Sequence, residues 1–530
     1  MNDFRKVSDQ RELGCWSGGS YAIHRDGFLF QIFLRFTHLW ELFIMQNRTN
    51  RRDFMKIAGV TGAGFWLSAG NERTARAASP NSRIAFAGIG IGGKGEGDIN
   101  NASKFCDVVA VCDTDRNRLK NSMDKFKVKG FTDYRELLDT MGDKIDAVNV
   151  STADHTHAPA SLMAMRMKKH CYTQKPLTRT IYEARLMGKV AKEMGVCTQM
   201  GNQGSSERGL RDAAAQLRAG ALGEVLEMHV WTDRPVGWWP QGLDPNRSKT
   251  LAEFSAKIKM EEPDKAEELI KKMGEGIAND LKNSIDWESW LGPAKPREYF
   301  PRIYHPFVWR GWWDFGTGAL GDIACHSLNM PMKGLDLSSP TEVVATTSGH
   351  DFDIYPLWSI IDYTYVSNTW RPGFKFTWYD GGKMPNKEML EKYGINPDNK
   401  GGSIIIGTKG AMVGTRLVGC ERVKDVEVAY APEHKEHNDG DSRNMYELCV
   451  AIEERNPDRC FSNFPNQAGP LTEAMLLGNL AVWTAYEPEK RGETIKWDAA
   501  NMTVTNLGDI KTPKTADLVK PTYRDGYRLD

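Results

Sequence analysis

Three residues have types and positions that suit acid–base chemistry: Lys175, Asp322 and His326. Asp322 and His326 are four positions apart, so a helix would place both side chains on one face. An imidazole titrates near neutral pH, and a neighbouring carboxylate can hold or polarise it. Such a pair suits the removal of a hydroxyl proton while hydride leaves the same carbon. The spacing also fits two ligands of a metal ion, or a structural capping pair, and both alternatives stay open.

The stretch from Arg83 to Asp113 predicts where a dinucleotide binds. Residues 83–89 form a short apolar run, which is typical of a buried strand. Two registers of G-x-G-x-x-G follow it, and we prefer the later one because it leaves a full-length strand before the first glycine. Backbone N–H groups at close range and the start of a helix suit a pyrophosphate. The loop glycines are then Gly90, Gly92, Gly93 and Gly95.

A second apolar run, residues 107–112, ends at Asp113, 18 residues after Gly95. A carboxylate at that strand end can accept hydrogen bonds from ribose hydroxyls, and it repels a 2′-phosphate. These features favour NAD, although Arg116 is close enough in sequence to keep NADP open. A glycine-rich turn in some other doubly wound domain is the alternative interpretation.

Lys175 lies between a predicted strand and Pro176. Because proline lacks an N–H group, the next helix cannot begin before it. We therefore expect Lys175 at the tip of the sheet, above the cofactor crevice. Its ammonium could bond to a nicotinamide ribose or to a substrate hydroxyl. A solvated surface lysine is the alternative.

Strand-like and helix-like segments alternate as far as residue 203, which predicts an α/β fold with a doubly wound parallel sheet of the Rossmann type. Clustered short strands with turn signals then predict an α+β domain with a largely antiparallel open sheet. A polar, Lys- and Glu-rich segment with helical stretches at 251–259 and 264–273 predicts a surface insertion. The expected divisions are 82–203 for the dinucleotide-binding domain, 204–500 for the substrate-binding and oligomerisation domain with its insertion at 241–285, and 501–530 for a carboxyl-terminal tail.

The amino-terminal segments indicate export. Residues 1–44 do not resemble a domain and are not expected in the native protein. Their apolar stretch, residues 28–44, is interrupted by Arg35, His38 and Glu41 and is therefore a poor membrane span. Residues 50–56, NRRDFMK, match a twin-arginine signal, and Ala75-Arg76-Ala77 offers a cleavage site. We expect translation from Met45, a signal peptide over 45–77, the twin-arginine export machinery as a partner and a periplasmic or otherwise exported protein. If the signal is not used, the protein is cytoplasmic.

Composition narrows the function classes. Lys plus Arg and Asp plus Glu both number 69, so no charge excess suggests a nucleic-acid partner. The nine cysteines lack a C-x-x-C pair, which argues against a disulfide scaffold or a zinc ribbon. We expect no metal and no permanent membrane anchor.

Tryptophans are concentrated in one part of the chain: eight of the 16 fall between residues 231 and 313. Flat rings stack on the apolar face of a sugar, so this density predicts a sugar-binding wall, with Arg310 and Trp313 as substrate contacts. The alternative is that most of these rings form core or interface.

These motifs, in this order, resemble the glucose–fructose oxidoreductase / inositol dehydrogenase (Gfo/Idh/MocA) family. The resemblance covers roughly residues 82–500 and rests on the glycine loop, Asp113, TDYRELL, DAVNVSTADHTHAP, QKPL and the D-x-x-x-H at Asp322 and His326. The segment WRGWWDFGTGALGDIACH is similar to an exported branch. The sequence departs from the family's usual Glu-Lys-Pro at Gln174.

The resemblance implies a nicotinamide dinucleotide, a sugar or polyol substrate and a homo-oligomer. It implies catalytic roles for Lys175, Asp322 and His326, and nicotinamide-side contacts around Thr152 and His155. Loss of a charge at Gln174 puts the pKa of the lysine and the substrate preference in doubt.

Three functions fit these patterns. The first is an NAD(P)-dependent oxidoreductase that acts on a CH–OH group of a sugar, polyol or sugar derivative, with His326 as base, Lys175 polarising the oxygen and Asp322 orienting His326. The second is an NAD-dependent glycoside hydrolase or lyase that works by transient oxidation. The third is a non-catalytic binding protein, against which the Lys, Asp and His residues count. An exported enzyme of either catalytic kind would load NAD before export and keep it tightly bound.

Overall fold

The computed structural model describes residues 83–242, 251–337 and 339–529. The segments predicted as a non-native extension (1–44) and as a signal peptide (45–77) lie outside the described residues. Among the helices that are described, none is both long enough and apolar enough to cross a membrane.

The amino-terminal part forms the predicted doubly wound sheet. Six parallel strands lie in the order β3-β2-β1-β4-β5-β6. Their bounds are β1 Ala85–Ile89, β2 Asp107–Cys112, β3 Lys129–Phe131, β4 Ala147–Val150, β5 His170–Gln174 and β6 Thr198–Gly201. The helices between them are α1 Lys94–Phe105, α2 Arg116–Phe126, α3 Tyr134–Met141, α4 Asp154–Arg166 and α5 Ile181–Met194. The order of strands reverses between β1 and β4, the place where open α/β sheets bind ligands.

The second sheet has nine strands in the order β13-β12-β11-β7-β10-β9-β8-β14-β15. It is largely antiparallel, as predicted, with one parallel pair between β7 and β10. The bounds are β7 Val225–Thr232, β8 Glu342–Thr347, β9 Ser359–Tyr365, β10 Phe374–Tyr379, β11 Gly401–Gly407, β12 Ala411–Val413, β13 Arg416–Val418, β14 Ile495–Asp498 and β15 Thr503–Val504. The alternating burial of β9 shows why it forms: one face packs on the core and the other meets solvent.

The remaining helices are α6 Arg208–Arg218, α7 Leu251–Glu261, α8 Ala266–Asn283, α9 Trp287–Leu291, α10 Gly318–Ser327, α11 Asn329–Gly334, α12 Lys387–Lys392, α13 Gly440–Glu453, α14 Gly469–Thr484 and α15 Thr515–Val519. Both helices predicted in the insertion are present. The second extends ten residues beyond its predicted end at 273, because helix-forming residues continue to Asn283.

Helix α14 fixes the position of helix α10, which carries two of the predicted catalytic residues. Its residues are buried almost throughout, and it packs against α5, β8 and α10. Helix α10 carries Asp322 and His326, so their position depends on this packing. One hydrophobic core extends from the first sheet through α14 to the second sheet.

Candidate active site

A cleft of about 470 Å³ lies at the carboxyl ends of β1, β2, β4 and β5. Its walls include the glycine loop, Asp113, Thr152, Lys175, Asp322 and His326, together with the segment His305–Arg310. Residues from distant parts of the chain therefore meet in one crevice. The sequence-predicted residues Gly90, Gly92 and Gly93 also line it.

The glycine loop leaves room for close backbone approach. Gly90 has a φ of 74°, and a Cβ atom there would lie 2.8 Å from backbone atoms of Ser151 and Thr152. A Cβ atom on Gly95 would lie 2.0 Å from the carbonyl oxygen of Gly90. A side chain on Gly90 would therefore clash with the backbone after β4, and one on Gly95 would push α1 away from the loop. The positions support the later of the two glycine registers, in which Gly95 packs the helix against the loop.

Asp113 lies at the end of β2 with its carboxylate directed to backbone donors. One oxygen accepts from the N–H of Ile91 at 2.9 Å, and the other accepts from the N–H of Asp115 at 2.9 Å. Burial raises the pKa of Asp113, while these backbone hydrogen bonds and the charge of Arg118 oppose the rise. The carboxylate is thus tied to the loop and keeps lone pairs toward the cleft.

Sequence reasoning missed a cluster beside Asp113. The guanidinium of Arg118 lies over Gly92, where a Cβ atom would be 2.2 Å from Nη1. Asp115 pairs with Arg118 at 3.4 Å and with His305 Nε2 at 3.1 Å. Arg116, considered for NADP, is instead directed to Leu281 and Asp286. The arginine of α2 that lines the cleft is Arg118, and its spacing of three residues from Asp115 could have indicated this.

At the other end of the cleft, Lys175 and Asp322 form a close ion pair. The ammonium of Lys175 donates to Asp322 Oδ1 at 2.7 Å and to the backbone oxygen of Asp322 at 2.8 Å. Arg310 Nε lies 3.4 Å from Oδ1, and Arg234 Nε lies 3.7 Å from Oδ2. Burial alone would raise the pKa of Asp322, but Arg310 and Lys175 hold it well below its usual range. Asp322 is therefore an anion that holds cations in place.

Arg310, predicted as a substrate contact, lies at the cleft wall and is also a bridge between carboxylates. Its Nη1 lies 3.5 Å from both oxygens of Asp154, and Thr317 donates to Asp154 at 2.6 Å. The guanidinium is buried and shared between Asp154 and Asp322. This arrangement positions Asp322. The two carboxylates also neutralise much of the positive charge that Arg310 would otherwise present to a substrate.

His326 faces the cleft with a neutral ring. Burial, followed by the charge of Lys175, lowers the pKa of His326 to about 3. Within the described chain its ring nitrogens make no hydrogen bond, so they remain available to a ligand. The structure places the carboxylate of Asp322 on Lys175 rather than on His326, and the expected orienting role of Asp322 is replaced by a clamp on the lysine.

The departure at Gln174 has a structural reason. Its amide donates to Asp98 at 2.8 Å, and Ser151 donates to the same oxygen at 2.8 Å. Lys94 lies 3.1 Å from the other oxygen of Asp98. A glutamate at 174 would face the buried carboxylate of Asp98. The carboxylate that adjoins residue 174 therefore comes from α1, as Asp98.

Two residues that were predicted to contact the cofactor or the substrate, His155 and Trp313, do not line the cleft. Thr152 lines the cleft, but His155 is buried, with its ring nitrogens 3.3 and 3.1 Å from the carbonyl oxygens of Phe315 and Trp290. Trp313 is buried against Tyr355 with ring centroids 3.6 Å apart, and it lies outside the cleft. Both side chains pack the core beneath the site. Of the other tryptophans in this part of the chain, Trp231, Trp287 and Trp312 are buried outside the cleft, whereas Trp290 and Trp309 line it.

Two family models match parts of this chain that contribute to the site. Residues 82–202 match the NAD-binding Rossmann fold of the oxidoreductase family GFO_IDH_MocA, and residues 274–370 match an α/β carboxyl-terminal domain of that family. The chain belongs to the Gfo/Idh/MocA family. The matched amino-terminal domain is an NAD-binding one, and the close packing at Gly90 and Gly95 with the acceptor Asp113 fits a dinucleotide.

Curated relatives of this family member include a glycosyl hydrolase family 109 protein from Shewanella pealeana, 26% identical over 37% of this chain and 49% of the relative. An α-N-acetylgalactosaminidase from Shewanella oneidensis is 30% identical over 33% of this chain and 44% of the relative. The chain spans about half the length of the curated relatives it matches.

Solved structures with a similar fold are more distant. An inositol dehydrogenase homolog from Azotobacter vinelandii, complexed with NADH and myo-inositol, is 14% identical, with a TM-score of 0.49 over 79% of this chain and 98% of that one. The WlbA dehydrogenase from Bordetella pertussis, complexed with NADH and UDP-GlcNAcA, is 15% identical, with a TM-score of 0.47 over 78% of this chain and 100% of that one. These likenesses are too remote to indicate a substrate.

Proposed function

We propose that this chain is an NAD-dependent oxidoreductase that acts on a CH–OH group of a sugar, polyol or sugar derivative. The observation that carries the proposal is the meeting of Lys175, Asp322 and a neutral His326 in the cleft that holds the glycine loop. Bound NAD⁺ would supply the acceptor for the hydride that leaves the carbinol carbon. NADP is the less favoured cofactor, because Asp113 is at the ribose end; Arg118 would have to offset its charge.

The side chains have separate tasks in this reaction. His326 takes the hydroxyl proton, for which its unprotonated and unbonded ring is ready. Lys175 donates a hydrogen bond to the substrate oxygen and favours the alkoxide-like charge that develops there. Asp322, which is itself paired with Arg310, holds the ammonium at that position. Burial keeps water from competing for these groups.

The test is NADH formation with a panel of sugars and polyols. The wild-type protein should produce NADH with at least one free sugar, and His326→Ala should produce none while it still binds NAD. If His326→Ala left turnover unchanged, His326 would not be the base, and if the wild type turned over no sugar, polyol or glycoside, the chain would be a binding protein.

A second candidate is glycoside cleavage with transient oxidation of the sugar. The sequence matches to glycosyl hydrolase family 109 proteins favour it. Oxidation of a ring carbon acidifies the neighbouring C–H bond, so that the glycosidic oxygen can leave by elimination. Cleavage of an aryl glycoside without net NADH would select this function, and net NADH would select the first.

We also propose export by the twin-arginine route, which rests on the motif at residues 50–56 and the small-residue site near Ala77. Because dinucleotide is scarce outside the cytoplasm, the protein would keep NAD tightly bound. The segment that includes His305 and Arg310 lines the cleft, and the His305–Asp115 pair supports retention. N-terminal sequencing of the secreted form should begin near Ala78, and an intact Met1 in a cytoplasmic fraction would refute export.

We propose a homo-oligomer as well. Native mass spectrometry of the mature protein should report about one NAD per chain and more than one chain per particle. A cofactor-free monomer that binds NAD weakly and reversibly would contradict both retention and assembly.

A further inference from the structure

Asn202 lies directly after β6 and is fully buried. Its side-chain amide crosses from the first sheet to helix α10, where Nδ2 donates to the backbone oxygen of Cys325 at 2.6 Å. Cys325 belongs to the last turn of α10, where carbonyl oxygens are short of intrahelical donors. The next residue along the helix is His326, the proposed base. Asn202 therefore holds the helix at the position beside the base.

This contact has a counterpart on the neighbouring strand. Strands β5 and β6 are paired in parallel, with Gln174 opposite Gly201. Lys175 and Asn202 therefore occupy equivalent positions, each directly after a strand end. Lys175 donates to the backbone oxygen of Asp322 at 2.8 Å. The ends of two adjacent strands thus hold two carbonyl oxygens of α10, and two such points constrain the rotation of the helix as well as its distance from the sheet.

Only one side of the Asn202 amide is used. Its Oδ1 is buried and has no hydrogen-bond donor among the residues that the structure describes. A buried acceptor without a donor lowers stability, and an apolar side chain of similar size would avoid that cost. The amide is therefore better explained by the helix that it holds than by a contribution to folding.

We propose that Asn202 is a positioning residue, which fixes α10 so that the ring of His326 and the ammonium of Lys175 reach the same substrate oxygen. The inference rests on the proposed function of the cleft, whose walls do not include Asn202 itself. The ammonium has three N–H donors, of which two are used on Asp322, and the third is left for that oxygen. The proton of the oxygen can pass to His326 only if the imidazole is also within hydrogen-bond reach.

Hydrogen–deuterium exchange on the holoprotein measures the positioning without any substrate. In Asn202→Ala the amides of α10 should exchange at least about threefold faster than in the wild type, because one of two anchors is gone. Asn444→Ala is the matched control. Asn444 is also fully buried, and its amide donates at 3.1 Å to the hydroxyls of Ser205 and Ser206 instead of to α10. Its replacement should leave exchange in α10 unchanged.

Kinetics separate positioning from a loss of stability. With a substrate that the wild type turns over, Asn202→Ala should lower kcat roughly 10- to 100-fold, since a displacement of about 1 Å at reacting groups has that cost. The Kd for NAD should not change, because the glycine loop and Asp113 are untouched. Asn202→Leu fills the same space without a polar atom, so it should be at least as stable as Asn202→Ala and still have the low kcat. Asn444→Ala should lose stability and keep kcat.

The proposal is overturned if both Asn202 variants keep the wild-type kcat, or if α10 exchanges at the wild-type rate in both. Failure of the proposed function has a separate signature, which is that the wild type turns over no sugar, polyol or glycoside. The exchange rates alone then decide whether Asn202 anchors α10.

Discussion

The two ends of the cleft each present a buried aspartate, and the two carboxylates have opposite surroundings. Asp113 is held by the N–H groups of Ile91 and Asp115, and burial raises its pKa. Asp322 has Lys175 and Arg310 beside it, and its pKa lies well below the usual range. In the proposed function, the first end accepts hydrogen bonds from neutral hydroxyl groups, and the second end fixes a cation beside the reacting atoms.

The difference extends to how each end is assembled. The partners of Asp113 lie within about two dozen residues of it in sequence, and the strand order brings them together. The partners of Asp322 come from β5, from the loop after β7 and from the segment before α10. Cofactor binding therefore depends on a local unit, whereas the chemistry depends on packing between the two sheets. Variants should separate the two functions.

The largest expected effect is loss of turnover in Lys175→Met. The variant keeps the length of the side chain but removes the ammonium, so kcat should fall roughly 100- to 10000-fold. NAD binding should stay within about twofold, because Asp113 and the glycine loop are unchanged. Steady-state kinetics and calorimetric titration with NAD measure the two quantities.

Lys120→Met serves as the control, since Lys120 is exposed on α2 and pairs only with Asp124 at 3.3 Å among the described residues. Near-normal kcat in Lys175→Met would remove the lysine from the mechanism. Loss of NAD binding in the same variant would show that the two ends are not separable.

Asp113→Ala should have the opposite effect, with weaker NAD binding and nearly unchanged turnover. It removes an anionic acceptor and frees the N–H groups of Ile91 and Asp115, so the Kd for NAD should rise roughly 10- to 100-fold. The kcat at saturating NAD should change little. Asp107→Ala, at the exposed start of the same strand, is the control. A change confined to kcat would mean that Asp113 does not contact the cofactor.

The same contrast explains what could be predicted from the sequence. The strand ends of the first sheet follow from apolar runs and breakers, so the sequence predicts that Gly90, Asp113 and Lys175 lie in one crevice. The side-chain contacts of Trp313 and His155 could not be assigned, because nothing local distinguishes a tryptophan in a wall from one in the core. Arg234 was missed for a related reason: its proximity to Asp322 arises only when β7 and α10 pack together.

The substitution Gln174→Glu, next to Lys175, should have an intermediate effect, and this effect is on stability. Gln174→Glu would set two carboxylates about 2.8 Å apart, where Gln174 now donates to Asp98. We expect a loss of about 1–3 kcal/mol in the free energy of unfolding, larger at higher pH because one group must keep a proton. Denaturant unfolding at two pH values measures it.

The double variant Gln174→Glu with Asp98→Asn reverses the direction of that hydrogen bond. It should recover part of the lost stability, since one amide again donates to one carboxylate while Ser151 and Lys94 still lose the carboxylate of Asp98. Asp98→Asn alone should be destabilising, because it pairs two amides and removes the acceptor of Ser151 and Lys94. A double variant no more stable than Gln174→Glu would show that the substitution at 174 has another cause.

The smallest expected effect is the contribution of His326 to the pH dependence of stability. Its pKa in the folded protein is about 3, below the value of about 6.5 in an unfolded chain. The unfolded state therefore binds the proton first as pH falls, and stability is lost below about pH 6.5. Between pH 7 and pH 5.5, protonation of this one histidine in the unfolded state should lower the free energy of unfolding by about 1 kcal/mol. Asp322 contributes nothing in that window, because its carboxyl remains ionised in both states.

Other buried histidines with lowered pKa values, His170 and His350 among them, add to the total slope. The share of His326 is the difference between wild type and His326→Gln, measured as the free energy of unfolding at both pH values. His326→Gln should reduce the loss by about 1 kcal/mol. In Lys175→Met the histidine loses a nearby positive charge, so its pKa should rise and the loss should shrink in the same direction. Equal slopes in all three proteins would mean that His326 is not held neutral by burial and Lys175, and the division between a hydroxyl-accepting end and a cation-clamped end would lose its electrostatic basis.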